Sequence, residues 1–352
     1  MDITQEKDDL RKRYACFYLA TIRTILVVTI VFTILGSFNT LWWPFLLVGQ
    51  FRTQYLIIQI LLGLLLALHR NWRLVSAACL ASILNASLIV PFYLPVTADL
   101  AIIVPRSTLK VLQLNLNYKN DNYGLVTQYI SQVAPDVVLV EEFTDAWQSR
   151  LADALTLYPY RKLQARSDTY GIAVFSRLPM ESSIAHLGSS EIPSVECHIV
   201  VAGEAITLLG VHFMGPFEQE GTELQSRQMR SICGEKDRLS GHLILAGDFN
   251  LTSWSDEFAH LTETLNLRDS RLGIGLQPTW PTEKPIVVFR RANRVFRPNI
   301  GILSYLLRIP IDHFLISKEL HVLNRQVGPW VGSDHFPVFA EFAIAPEKKK
   351  VY

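Results

Sequence analysis

Between Tyr14 and Val104 the chain carries only five charged residues in 91: Arg23, Arg52, Arg70, Arg73 and Asp99. A water-soluble domain of that length needs a far larger charged surface, so this segment is committed to helices that face lipid or one another. The 248 residues from Pro105 onward carry 52 charges, the density of an ordinary globular domain. The expected organisation is a polar N-terminal segment (1–13), a membrane region (14–104), a folded domain (105–345) and a basic tail (346–352) ending in Lys348, Lys349, Lys350, Val351 and Tyr352.

Three apolar stretches fall in the membrane region: Tyr14 to Phe38, Thr53 to His69 and Leu74 to Leu94. A helix needs about 20 apolar residues to cross a bilayer core. The first and third suffice; the second is short and borrows length from Leu41 to Phe51, where Trp42 and Trp43 suit an interface. Arg23, inside the first stretch, must snorkel or find a partner. Three spans are therefore expected. A cleaved signal peptide is not, because two further apolar runs follow the first. Lys7, Arg11, Lys12 and Arg13 precede the first span, and Arg70 and Arg73 join the second to the third. The positive-inside rule then puts the N-terminus in the cytoplasm and the large domain on the far side, the periplasm in a bacterium; Arg106 and Lys110 run against it.

The residues from Pro105 onward carry 25 Lys and Arg against 27 Asp and Glu, so no global positive field draws in a polyanion and any such specificity is local. Four scattered cysteines form no disulfide framework, and their spacing fits no zinc site. Short apolar runs predict strands at Leu109–Leu116, Asp136–Val140, Gly171–Ser176, Cys197–Val201, Ile206–Phe213, His242–Ala246, Ile311–Ser317 and Phe336–Phe342. Helical spacing marks Val126, Ile130 and Val133, then Thr222–Arg238 and Ser255–Leu265. Many strands with interleaved helices predict a layered α/β domain with a mixed sheet.

Nearly every predicted strand ends in a carboxylate, an amide or an imidazole. Asn115 interrupts VLQLNLN; Glu141 and Glu142 close PDVVLVEE; His212 closes ITLLGVHF; Asp248 and Asn250 follow LILAG; Asp312 opens IDHFLIS; Asp334 and His335 stand in GSDHFPV. Each alone fits a turn, a helix start or a satisfied core residue. Together they imply a shared polar site, since burying any one without a partner costs about 1–3 kcal/mol. Hard oxygen donors with little imidazole and no thiolate favour Mg²⁺ or Mn²⁺. Such a cation neutralises charge on a phosphoryl oxygen, so the chemistry that fits is metal-assisted phosphoester hydrolysis.

On these motifs the chain resembles the endonuclease/exonuclease/phosphatase superfamily, the deoxyribonuclease I-like enzymes, over about residues 108 to 343. LQLNLN resembles the opening strand motif; APDVVLVEE resembles the PDIIxLQE motif; YGIAVFSRLP, GVHF, LAGDFN, PTWP, IDHFLIS and GSDHFPV follow in the family's order. The resemblance implies a four-layer α/β sandwich and a divalent-metal-dependent phosphoesterase. It implies Glu142 as principal metal ligand, with Asn115, Asp312 and Asp334 assisting it or organising the site. Asp248 would orient or deprotonate the attacking water, Asn250 would hold a phosphoryl oxygen, and His212 and His335 would stabilise the transition state or move a proton. Glu141 stands where Gln is common, so it either tightens cation binding or faces outward.

The family acts on DNA, RNA, phospholipids and soluble phosphates, so the resemblance leaves a nuclease, a phospholipid or phosphoinositide hydrolase, or a lapsed membrane-tethered binding module open. Three spans ahead of such a domain resemble bacterial inner-membrane members of the superfamily. Between Pro281 and Pro310, Lys284, Arg290, Arg291, Arg294, Arg297 and Arg308 face the single acid Glu283, with Phe289, Phe296 and Tyr305 interleaved. Such a stretch grips a nucleic-acid strand, rests on a bilayer's anionic headgroups, or is a solvated loop; as substrate contacts the candidates are Arg290, Arg291 and Arg294.

Overall fold

The computed structural model describes residues 3–95, 107–282, 289–291, 294–296 and 303–344. The chain divides into two compact units, Met1–Pro91 and Phe92–Tyr352. The expected boundary at 104/105 and the basic tail lie outside the described residues.

The first unit is helical: α1 Ile3–Gly36, α2 Trp43–Gly49, α3 Arg52–Leu68 and α4 Trp72–Ile89. Two helical stretches are long and apolar enough to cross a membrane, Asp9–Gly36 and Trp72–Phe92. The three expected spans are met in part: α2 meets α3 at a 61° bend, and the two together count as a third span if the bent pair is one. A small apolar cluster of Ile22, Leu26, Leu66 and Ala78 joins α1, α3 and α4. Polar side chains tie the same helices: Gln59 Nε2 donates to Thr33 Oγ1 at 2.9 Å, and Asn85 Nδ2 donates to Thr33 Oγ1 at 2.9 Å and to Gln59 Oε1 at 3.1 Å. Arg52 donates to Asn85 Oδ1 at 3.3 Å and to Ser37 Oγ at 3.2 Å. In an apolar bundle such bonds, with packing, replace the hydrophobic drive to associate. Arg23 is exposed on α1.

In the second unit the strands are β1 Thr108–Asn115, β2 Val137–Glu141, β3 Tyr160–Gln164, β4 Ile172–Ser176, β5 Met180–His186, β6 Pro193–Val201, β7 Glu204–His212 and β8 His242–Asp248. They continue as β9 Leu267–Asp269, β10 Phe289–Arg291, β11 Arg294–Phe296, β12 Asp312–Ser317, β13 Leu320–Val327 and β14 Val338–Ile344. The helices are α5 Tyr123–Val133, α6 Asp145–Ala154, α7 Gln219–Gly234, α8 Asp256–Thr264 and α9 Leu303–Leu307. Two six-stranded mixed sheets result, ordered β13-β14-β1-β2-β4-β3 and β5-β6-β7-β8-β12-β9, beside the β10-β11 hairpin.

Each sheet is built around one parallel pair, β1 with β2 and β7 with β8. A parallel pair needs a long crossover, which α5 and α7 supply. The sheets pack face to face through one core in which Leu109, Val111, Val137 and Leu139 of the first meet Val195, Leu208, Ile244 and Phe314 of the second. The opposite face of the first sheet offers Leu112, Leu114, Val138 and Val140 to Val126, Ile130, Trp147 and Leu151 of α5 and α6. Strand periodicity of two therefore sorts β1 and β2 into an inter-sheet face and a helix face.

All eight predicted strands and the three predicted helices are present, with ends shifted by a few residues. The strands not predicted include β3, β5 and β13, which lie at sheet edges or expose alternate residues and so carry no apolar run. All four cysteines are free, and Cys197 is buried in the inter-sheet core.

Candidate active site

The inter-sheet faces stay apolar along most of their length and turn polar at one end. Continuing the alternation from Val111 gives Gln113 and Asn115; from Leu139, Glu141; from Leu208, His212; from Ala246, Asp248; from Phe314, Asp312. Sheet register aligns them further. Asn115 pairs with Glu141 across β1 and β2, and Asp248 is flanked by His212 on β7 and Asp312 on β12. All six are buried.

Asp248 is the hub. Its Oδ1 accepts the Asn250 backbone N–H at 2.7 Å and its Oδ2 accepts Asn115 Nδ2 at 3.0 Å. His212 Nε2 and His335 Nε2 stand 3.5 and 3.6 Å from that second oxygen. Asp312 Oδ2 lies 2.9 Å from His335 Nδ1, and Asp312 Oδ1 accepts Gln113 Nε2 at 2.9 Å. Asp248, Asp312 and His335 offer atoms within 4.8 Å of one another, a group able to hold a metal ion. Glu142 accepts the Tyr118 N–H at 2.8 Å and Asn115 Nδ2 at 3.3 Å.

The loops that present these groups run through the left-handed region at Asn117, Glu142 and Asn250, with φ of 54°, 56° and 51°. Asn tolerates this; Glu does so rarely, and such outliers cluster at functional sites. Asn117 Nδ2 donates to Asp334 Oδ1 at 2.7 Å and Trp280 Nε1 to Asp334 Oδ2 at 3.4 Å, so Asp334 ties two loops together. Asn250 Nδ2 donates to Phe213 O at 2.9 Å, which fixes its amide. The Tyr170 ring leans on His212 with centroids 5.2 Å apart.

Burial and mutual charge split like residues into unlike states. Burial, reinforced by the charge of His335, lowers His212 to about 3, so its imidazole is neutral at pH 7. Burial would lower His335 too, but the carboxylates of Asp312 and Asp248 raise it well above the usual value. Burial would raise Asp312, but facing His335 holds it below the ordinary carboxylate range. Burial pushes Asp248 to about 7 against the pull of His335, and burial with the charge of Asp334 pushes Glu142 to about 7. Two titrating groups driven apart in this way mark acid and base assignments.

Sequence reading therefore named Asn115, Glu142, His212, Asp248, Asn250, Asp312, Asp334 and His335, and the fold brings them to one end of the sandwich. Asn115 turns its amide nitrogen to the carboxylates, while its oxygen accepts the Asn117 N–H at 3.0 Å. Glu141 does not face outward: it is fully buried, its Oε2 accepting Gln113 Nε2 at 3.0 Å. Burial, then the charges of Asp312 and Asp248, raise it well above the usual carboxylate value. Sequence reading missed Gln113 and Asn117, and marked Thr279 only as part of the PTWP motif, without a role. Gln113 was legible as the second polar residue on the inward face of VLQLNLN; Thr279 Oγ1 accepts the Asp312 N–H at 3.3 Å. Among the candidate substrate contacts, the hairpin pairs Arg291 with Arg294 and Arg290 with Val295; their side chains lie outside the described residues.

A second buried network lies behind the site. Asp269 accepts Arg271 Nη2 at 2.5 Å and Nε at 3.0 Å, Arg271 Nη2 lies 3.2 Å from His313 Nδ1, and His313 Nε2 donates to Leu251 O at 2.7 Å. The last bond leaves Nδ1 as the acceptor, so His313 is a neutral tautomer, its ring packed against Phe249 and Phe258. Removing one member of a buried ion pair strands the other, at a cost of about 3–5 kcal/mol. Arg271→Ala is expected to destabilise the folded domain by that amount, seen as a lowered unfolding midpoint of the full chain in detergent; an unchanged midpoint contradicts it.

Solved structures with the same architecture include D. rerio TDP2 complexed with single-strand DNA product. It matches at TM-score 0.53 and 17% identity over 67% of this chain and 99% of that one. An endonuclease/exonuclease/phosphatase from Beutenbergia cavernae matches at 0.52 and 18%, over 68% of this chain and 72% of that one. A family protein from Bacteroides thetaiotaomicron matches at 0.51 and 16%, over 68% and 96%. No curated protein matches the chain. The model of the Endonuclease/Exonuclease/phosphatase family matches residues 112–335, and the chain belongs to that family of metal-dependent phosphoric ester hydrolases.

Proposed function

We propose that the chain is a membrane-anchored, divalent-metal-dependent phosphodiesterase of the nuclease type. The observation that carries the reading is the buried group of Asp248, Asp312 and His335, within 4.8 Å of one another, beside the strained Glu142. The donors are carboxylate oxygens and imidazole with no thiolate, which suits Mg²⁺ or Mn²⁺. An oxygen of buried Glu141, Oε1, has no hydrogen-bond partner among the described residues. Glu142 is the carboxylate assigned to the metal on the family resemblance of its motif, and Asp248, Asp312 and His335 form the polar group beside it. Asn115 supports Glu142 through its amide nitrogen. When bound, the cation supplies a Lewis acid for a phosphoryl oxygen.

The remaining roles belong to the chain itself. Asp248, with a value near neutrality, orients and deprotonates the attacking water. His335, held cationic by Asp312, faces the charge that grows on the phosphoryl group. Neutral His212 donates or accepts a hydrogen bond beside Asp248. Asn250 spends one amide hydrogen on Phe213 O and directs the other to a phosphoryl oxygen.

A cation must displace the proton of Glu142 below about pH 7. Protonation competes with the metal, so affinity falls as pH falls. The Mg²⁺ concentration for half-maximal activity is expected to rise roughly tenfold per pH unit below 7, one proton displaced per cation, and to level off above 8. A midpoint independent of pH between 5.5 and 8 contradicts the assignment.

The apolar helices Asp9–Gly36 and Trp72–Phe92 support the anchor, and the basic flank of the first supports a cytoplasmic N-terminus with the domain in the periplasm. A reporter fused after Tyr352 tests this, and a cytoplasmic signal overturns it. The likeness to TDP2, crystallised with a single-strand DNA product, supports a nucleic-acid substrate. One observation favours phospholipid as a second reading. Tyr305, Leu306 and Leu307 of α9 are exposed beside Arg308, whose guanidinium lies 4.7 Å from the ring of Phe336, next to His335. Single-stranded oligonucleotides and mixed phospholipid vesicles, assayed side by side with Mg²⁺, separate the two; hydrolysis confined to vesicles removes the nuclease.

A further inference from the structure

We infer that Gln113 and Glu141 form a strut between the two sheets that positions Asp312, and through it His335, for the reaction. The inference rests on the roles given above to Asp312 and His335. Gln113 lies on β1 of one sheet and Asp312 on β12 of the other, and both are fully buried. One amide nitrogen bridges them: Gln113 Nε2 donates to Asp312 Oδ1 at 2.9 Å and to Glu141 Oε2 at 3.0 Å. Asp312 is thereby gripped on both oxygens, by Gln113 on one and by His335 Nδ1 at 2.9 Å on the other. Its carboxylate plane and the ring of His335 are set as a unit, which leaves His335 Nε2 aimed toward Asp248.

Asp312 and Glu141 together set which way the amide points. Asp312, held as a carboxylate, only accepts, and Glu141 Oε2 accepts from the same nitrogen, so the NH₂ end of Gln113 satisfies both and the flipped amide would set an oxygen against the Asp312 carboxylate. Gln at 141, the residue common in the family at this place, carries its own donors and accepts either orientation. Space for the carboxylate comes from Gly247, where an added Cβ would stand 3.0 Å from Glu141 Oε1 and 1.9 Å from Val211 O. The strut touches no expected substrate atom and is a positioning device.

The test uses the full chain in detergent with Mg²⁺ and bis(p-nitrophenyl) phosphate. Gln113→Met is expected to lower kcat at least tenfold while the Mg²⁺ concentration for half-maximal rate moves less than threefold, since Glu142 is untouched. Glu141→Gln, nearly isosteric, is expected to lower kcat three- to tenfold. The double variant should be no slower than Gln113→Met alone, because Glu141 acts only through Gln113. A readout free of turnover is the low-field proton resonance of His335 Nδ1–H against Asp312, identified by its loss in Asp312→Asn. It should move upfield or broaden in both single variants. Full kcat with an unmoved resonance in folded Glu141→Gln overturns the strut, as do additive losses in the double variant. A resonance that moves while the wild type hydrolyses no phosphodiester supports the strut and removes the proposed function instead.

Discussion

Asp248→Asn is expected to lower kcat for Mg²⁺-dependent phosphodiester hydrolysis by on the order of a thousandfold or more, the scale of losing one member of a set that acts as a unit. The substitution keeps shape and can keep the Oδ1 acceptor for the Asn250 N–H. It replaces the other oxygen, which faces Asn115 Nδ2, His212 Nε2 and His335 Nε2, with a further donor. No base remains for the water, and His335 loses a counter-charge. The same change removes a carboxylate whose burial is costly, so the metal-free protein should unfold at a higher midpoint than wild type. Steady-state kinetics and thermal unfolding of one preparation check both; activity within tenfold of wild type sinks the assignment of Asp248.

Removing the cation should have an effect of similar size. Chelation is expected to abolish measurable turnover, and Mg²⁺ or Mn²⁺ to restore it. Glu142→Ala is expected to raise the metal concentration for half-maximal rate at least tenfold, an effect of about 1.4 kcal/mol or more on binding. Both residues carry a Cβ, so the left-handed backbone at φ 56° is nearly equally strained in each and the comparison isolates the carboxylate. Calorimetric titration reads it without substrate. Equal affinity in the two proteins would move the metal to the Asp248, Asp312 and His335 group.

The site was legible because strands alternate. In β1, β2, β8 and β12 the residue two places beyond the last inward apolar side chain is polar, in β7 the polar residue follows after Gly210, and an inward polar residue needs a partner. That logic reaches Asn115, Glu141, His212, Asp248 and Asp312 without coordinates, and it also reaches Gln113, passed over because it lies inside an apolar run. It does not reach Thr279 or Asn117, whose contributions depend on which loop passes over which strand end. The edge strands β3 and β13 were invisible for the converse reason, since an edge half in water needs no apolar run. Hydropathy counts residues and is blind to the 61° bend between α2 and α3, on which the second of the three expected spans depends.

By itself the sequence determined the division into an apolar helical region and an α/β domain, the central strands, and the residue types of a hard-cation phosphoesterase. These depend on composition, period and motif order, which are properties of neighbours along the chain. Only the tertiary structure decided that Glu141 turns inward, that Gln113 spans two sheets 199 positions apart to hold Asp312, and that His212 is neutral while His335 is charged. Those outcomes depend on distances between strands remote in sequence and on how much water the sandwich excludes, and neither quantity exists until the sheets have closed.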